Sequence, residues 1–177
     1  MIRTERLVLR PLTEDDTERL MEFWNLPEVL RWLIRGPSTA DGLRGWITKC
    51  VDNPLDHSQA VVLDGVVIGA VNLRLENGFL QPGGPENTVA DFGYTFDPAY
   101  AGHGYATEAA RALLDHAFDA LGARRAKAGA FADNHASVRV LEKLGMRREE
   151  YAVRDSWHAE LGWIDGVTYA LLADERQ

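Results

Sequence analysis

The run Phe96-Asp97-Pro98-Ala99-Tyr100-Ala101-Gly102-His103-Gly104-Tyr105-Ala106-Thr107-Glu108 decides how this chain reads. It joins a strand to a helix. Upstream, Thr88 to Phe96 alternates: Ala90, Phe92, Tyr94 and Phe96 share one face, and Asp91, Gly93 and Thr95 the other. Downstream, from Tyr105 to Leu121, residues Ala106, Ala109, Ala110, Leu113, Leu114, Ala117, Phe118 and Leu121 recur at helical spacing, and Gly122 is a helix stop. A helix start presents unpaired N–H groups and partial positive charge. Gly102 and Gly104 let an anion approach that backbone without a Cβ in the way, and Ala106 leaves room on the first turn. A phosphate or pyrophosphate is the ligand such a start suits. Two other readings stand beside it. The glycines can serve only a tight turn, or Gly102-x-Gly104 can begin a dinucleotide fingerprint. Against the fingerprint, Thr107 stands where the third glycine belongs and the loop is long for a tight strand-to-helix turn.

The rest of the chain extends this unit. Leu7 to Leu12 reads as a first strand, and Thr13 before Glu14, Asp15 and Asp16 starts a helix. A second helix is expected over about Ala40 to Val51, with Leu43, Trp46, Ile47 and Cys50 on one stripe. Asp64-Gly65 between two apolar runs (59–63 and 66–74) signals a hairpin. Residues 76 to 87, with Gly78, Gly83, Gly84, Pro82 and Pro85, form a loop. A strand over 125–131, a helix over 134–144 and two strands near 146–153 and 167–172 follow. The order β-α-α-β-β-β-α-β-α-β-β implies one α/β domain spanning residues 1–177.

The segment resembles the coenzyme A pyrophosphate loop of the GNAT superfamily of N-acetyltransferases, written Gln/Arg-x-x-Gly-x-Gly/Ala. Gly104 and Ala106 match its last two defined positions, and Ala101 stands where Gln or Arg is usual. Asp97-Pro98 followed by Gly-x-Gly-Tyr-Ala-Thr-Glu-Ala is similar to the branch that contains the ribosomal-protein N-terminal acetyltransferases, the RimJ/RimL-like proteins. So are Thr4-Glu5-Arg6-Leu7-Val8-Leu9-Arg10-Pro11-Leu12, Pro27-Glu28-Val29-x-Arg31-Trp32, Asn134-x-x-Ser137-x-x-x-Leu141-Glu142-Lys143-Leu144-Gly145 and Gly162-Trp163-Ile164-Asp165. The resemblance implies the GNAT fold: a mixed, mostly antiparallel sheet of six to seven strands with about four helices. It also implies direct transfer of an acyl group, acetyl by default, from coenzyme A to a primary amine of a protein N-terminus or a small molecule.

That chemistry sets demands. The amine must lose a proton, the thioester carbonyl must be polarised, and the leaving thiolate needs a donor. The resemblance places the coenzyme against Tyr94, Thr95 and Phe96, with a backbone N–H near Tyr94 on the carbonyl. It places the phosphates at Gly102, His103, Gly104, Tyr105 and Ala106, with Asn134 and Ser137 as further contacts. Asp91 is the candidate base, against an ordinary strand carboxylate. Ser137 is the candidate donor to the sulfur, because Leu141 occupies the position where many relatives carry a tyrosine. Trp32 and His158 are candidates for the acceptor site. Cys50, on an apolar stripe with no histidine one turn away, reads as a buried structural thiol.

Composition sets outer bounds. A formal charge of -8 disfavours a nucleic-acid surface and suits a cationic amine. No apolar run reaches a membrane span, and no histidine has metal-ligand spacing, so no membrane, nucleic-acid or metal partner is expected. The single cysteine and the charged start fit a cytoplasmic protein. A homodimer is left open. Two rival classes remain: a non-catalytic acyl-CoA sensor or docking domain, and a dinucleotide-dependent oxidoreductase.

Overall fold

A computed structural model describes residues 1–176. The chain runs β1 (Ile2–Arg3), β2 (Val8–Pro11), α1 (Thr17–Trp24), α2 (Pro27–Leu30), α3 (Ala40–Asp52), β3 (Gln59–Leu63), β4 (Val66–Glu76), β5 (Val89–Phe96), α4 (Tyr105–Asp119), β6 (Arg125–Phe131), α5 (His135–Lys143), β7 (Arg147–His158) and β8 (Gly162–Leu172). The eight strands form one sheet in the order β1-β2-β3-β4-β5-β6-β8-β7. Every described pairing is antiparallel except β5 with β6.

The sheet thus has one strand more than the six to seven expected, and five helices stand where four were expected. The extra strand is β1, two residues long and too short to show alternation. The extra helix is α2, a single turn opened by Pro27 at its first position. Both closing strands are longer than their apolar runs, because β7 is a mostly exposed edge strand in which charged residues are mixed with exposed Tyr151, Val153 and Trp157 and show no alternation. The Asp64-Gly65 hairpin has the left-handed φ angles of its residue types, 48° and 84°.

Two helical layers cover the sheet. Leu113, Leu114 and Ala117 of α4 and Leu141 of α5 pack with Leu73, Leu75, Ala90, Phe92, Ala126 and Ala128. Leu20, Phe23 and Trp24 of α1 and Leu43 and Ile47 of α3 pack with Ala60 and Ala70 on the second face. Cys50 closes that side; burial pushes its thiol up to about 12, with Asp56 and Ser58 as hydrogen-bond neighbours.

Near the sheet's other edge, Arg125 pairs with Glu149, and Arg147 pairs with both Glu149 and Glu175. The Arg125 hydrogen bond holds the Glu149 carboxyl down from 4.5 to about 2. A depressed carboxylate stabilises the fold above its ordinary value and loses that contribution as pH falls through the folded one. Melting temperature should therefore drop as pH falls from 4.5 toward about 2, and Glu149→Gln should flatten that part of the curve.

Candidate active site

The parallel pairing of β5 with β6 is short. Val89, Ala90 and Asp91 pair with Arg125, Ala126 and Lys127, and no pairing is formed further along. Beyond Asp91, β5 stays with β4 and β6 stays with β8. The sheet therefore opens as a wedge between the second half of β5 and Ala128–Phe131. Backbone direction in this wedge follows from one hydrogen bond. The Asp97 N–H donates to the Ile68 carbonyl at 2.9 Å, so Thr95 and Gly93, alternate residues in the same register, also turn toward β4. Tyr94 and Phe96 then turn their N–H and C=O groups into the wedge. A chain laid there would meet a strand edge.

A cavity of about 940 Å³ fills the wedge and passes through the sheet. On the α4–α5 side it is lined by Tyr94, Phe96, Ala106, Asn134, Ser137 and Leu141. On the α1–α3 side it is lined by Asp91, Thr95, Gly129, Trp32 and carboxylates that sequence reading missed: Glu28, Asp56, Glu150 and Asp155. Arg74 is the cation on that wall. The missed carboxylates come from three separate segments, α2, the α3–β3 connection and β7, so spacing along the chain carries no signal for them as a set. Asp155 is aimed by backbone: β7 shifts register between Ala152 and Ser156, Arg154 has a φ of 50°, and the Asp155 carboxylate lies where a Cβ on Gly166 would be.

Gly102, His103 and Gly104 form the loop that enters α4, and with Tyr105, the helix's first residue, they lie beside Ala106 rather than in the cavity wall. Gly102 and Gly104 have φ angles of 81° and 82°, the left-handed region that favours glycine. Gly104 is the N-cap, and Glu108 N–H makes the first helical bond to its carbonyl at 3.0 Å. The N–H groups of the turn before it have no intrahelical acceptor. The loop is pinned from the start of the chain. Glu108 accepts from the Thr4 hydroxyl and from the Arg6 amide and guanidinium, and Arg6 also donates to the His103 carbonyl at 3.0 Å. The guanidinium lies over the Tyr105 ring, 4.5 Å from its centroid, and Tyr105 stacks on His103.

Asn134 caps α5 by accepting the Ser137 N–H at 3.1 Å. The Tyr94 hydroxyl lies 2.9 Å from Ser137 Oγ and 3.0 Å from the Ser137 carbonyl, and burial pushes the phenol up to about 12. Asp91 sits at the closed end of the wedge. Burial raises its carboxyl above the ordinary value against the pull of Lys127, while Glu76 adds to the rise and Arg74 opposes it.

Trp32 reaches the cavity and packs against Phe131 and His158 with tilted rings, at 6.4 and 5.7 Å between ring centroids. His158, expected beside the acceptor, lies behind this wall with 3% of its surface exposed. Its Nδ1 accepts from the Glu160 and Leu161 amides, so the ring proton is on Nε2 and is donated to the Arg31 carbonyl at 2.8 Å. Both nitrogens are committed: Nε2 holds the turn that carries Trp32, and Nδ1 holds the turn between β7 and β8. Among the described residues, no cluster of His, Cys, Asp and Glu is placed to hold a metal ion, and no helix is long and apolar enough to cross a membrane.

Comparison with known proteins agrees with this geometry. The family model of the acetyltransferase (GNAT) domain matches residues 6–147. The Bacillus subtilis protein YjcK, described as a probable N-acetyltransferase, is 40% identical over 185 residues, covering 97% of both chains. YdaF of Bacillus subtilis, described as a candidate ribosomal N-acetyltransferase, is 30% identical over 97% of this chain and 93% of its own. The crystal structure of a GNAT acetyltransferase from Bacillus anthracis superposes with a TM-score of 0.82 at 29% identity, covering 98% of both chains. The chain belongs to the GNAT acetyltransferase family, and it is an acyl-CoA-dependent acetyltransferase acting on amino groups.

Proposed function

We propose that this enzyme acetylates a small or chain-terminal primary amine carrying additional positive charge. Acetyl-CoA lies in the wedge with its phosphates at the Gly102–Ala106 loop. The observation that carries the reading is the strand edge left open at Tyr94 and Phe96, which leads from the glycine loop into the cavity. The pantetheine amides complete that edge as an added strand, and the Tyr94 N–H polarises the thioester carbonyl. Asn134 and Ser137 face the coenzyme arm.

The amine enters from the opposite side of the sheet. Glu28, Asp56, Asp91, Glu150 and Asp155 line that wall, where the cations among the described residues are Arg74 in the lining and Lys127 beside Asp91. One ammonium needs one base to become the attacking amine, so the surplus carboxylates favour an acceptor with a second cationic group. Asp91 lies three residues before Tyr94 and on the other face, about 10 Å along the strand at strand rise. It therefore takes the amine's proton through water. The C–N bond forms, the C–S bond breaks, and the products are the amide and free coenzyme. The enzyme works as one domain in the cytoplasm, with Trp32 on the acceptor wall and His158 supporting it.

A melting assay with an acceptor panel tests this. Acetyl-CoA should raise the melting temperature, by mass action on the native state, and NAD or NADP at the same concentration should not. Free-thiol release should be faster with a polyamine or a peptide with a basic N-terminus than with a neutral-tailed monoamine. That advantage should shrink with salt, since screening weakens exposed charge pairs. Equal rates for charged and neutral-tailed amines at every ionic strength would count against the acidic wall as a selector. A nicotinamide cofactor that shifts the melt where acetyl-CoA does not would sink the coenzyme assignment.

A further inference from the structure

We propose that Tyr94 acts at both ends of the bond that breaks, through its amide at the carbonyl and through its hydroxyl, by way of Ser137, at the leaving sulfur. The inference rests on the placement of acetyl-CoA in the wedge. Tyr94 is the residue whose backbone faces the wedge while its side chain crosses to the first turn of α5. Both it and Ser137 line the cavity.

The hydroxyl geometry supplies the mechanism. A phenol has one proton, and two acceptors lie within reach: Ser137 Oγ at 2.9 Å and the Ser137 carbonyl at 3.0 Å. The carbonyl belongs to α5 and takes the helical N–H four residues on, so it is satisfied either way. If the phenol donates to the carbonyl, the serine proton turns back to the phenol oxygen. If the phenol donates to Oγ, the serine proton must point elsewhere, and the cavity is the open side. The second arrangement is the one the proposal uses: there the phenol, by donating to Oγ, turns the Ser137 proton toward the cavity. Neither hydroxyl gives up its proton. Burial holds the Tyr94 phenol up at about 12, far above a thiol's ordinary value near 8.5. The electron pair of the broken C–S bond is left on sulfur, the serine donates a hydrogen bond to it, and water completes the thiol. Tyr94 is a positioning residue here, and Ser137 touches the sulfur.

Four variants test the pair: Tyr94→Phe, Ser137→Ala, their double, and Ser137→Thr. Tyr94→Phe keeps the ring and the amide. It should lower kcat by about tenfold or more, less than the roughly 10²–10³-fold for removing a donor aimed at developing charge because the serine hydroxyl remains, with KM for acetyl-CoA within about twofold. Ser137→Ala should lose at least as much, and the double variant should be no worse than Ser137→Ala, since residues acting as one unit are non-additive. Ser137→Thr keeps a hydroxyl and should retain most of kcat. If the phenol is only a packing prop, Tyr94→Phe raises KM and lowers the melting temperature while kcat holds, and the relay is wrong. Losses that multiply in the double variant overturn it as well. A wild type that neither binds acetyl-CoA nor releases thiol fails at the earlier step, the coenzyme assignment, and is told apart by that.

Discussion

Ala106→Glu is expected to abolish the rise in melting temperature caused by acetyl-CoA while leaving the free protein at least as stable as wild type. Ala106 is the second residue of α4, half-buried at the cavity wall. A carboxylate in a first helical turn is favourable, by about 0.3–1 kcal/mol, because it faces the positive end of the helix dipole. The same charge would sit where the coenzyme phosphates must lie. Two unit charges about 4 Å apart near a protein surface repel by roughly 4 kcal/mol, which is about a thousandfold in affinity. Ala106→Gln adds similar bulk without charge and should lose less. Gly104 is a poorer place for this test: its φ of 82° would strain any branched residue, so lost binding and lost stability would arrive together. Acetyl-CoA still stabilising Ala106→Glu as it does wild type would mean that the phosphates bind elsewhere.

Asp91→Asn is expected to lower kcat by roughly 10²-fold or more, the usual scale for losing general-base help, with KM for acetyl-CoA little changed. The pH profile carries more information than the rate. Burial holds this carboxyl above its ordinary value, and a base works only when ionised. The kcat/KM of the wild type should therefore fall as pH drops through that raised value. In the variant this limb should vanish and the rate should follow the acceptor's own ionisation. Two acceptors of different basicity separate the cases. Positioning alone can lower a barrier by about 7–11 kcal/mol in favourable systems, so an enzyme without a base is physically reasonable. A variant keeping more than about a third of wild-type kcat would make Asp91 an ordinary strand carboxylate. Glu150→Gln is the informative control, because Glu150 lines the same wall and accepts from Thr168 at 3.1 Å.

Local periodicity made the strand–loop–helix unit readable. Alternation placed Phe92 and Tyr94 on one face of β5, and the 3.6-residue stripe placed Leu113 and Ala117 against the sheet. Other features depend on partners distant in sequence. Alternation along β5 is the same whether or not β6 stays alongside, so the point where pairing ends, after Asp91 and Lys127, left no trace in the residues. Asp155 was hidden for the same reason. Its aim depends on the β7 register shift and on the bare backbone of Gly166, and neither alters the local apolar pattern. His158 shows the converse. An aromatic neighbourhood suggested an acceptor contact, but the ring's nitrogens are occupied by Glu160, Leu161 and Arg31, the last from a segment 127 residues away.

The clamp on the glycine loop has a consequence for how the protein is made. Glu108 meets Thr4 and Arg6 across separations of 104 and 102 residues. Closing a chain loop of that length costs roughly 4 kcal/mol in entropy beyond the fixed part, so the contact forms only once other structure has drawn the ends together. High-separation contacts of this kind mature slowly. The motif is contiguous in sequence, yet its shape belongs to the finished domain. A nascent or excised strand–loop–helix carries the glycines and the helix start, but not the hub that fixes the loop's carbonyl at His103.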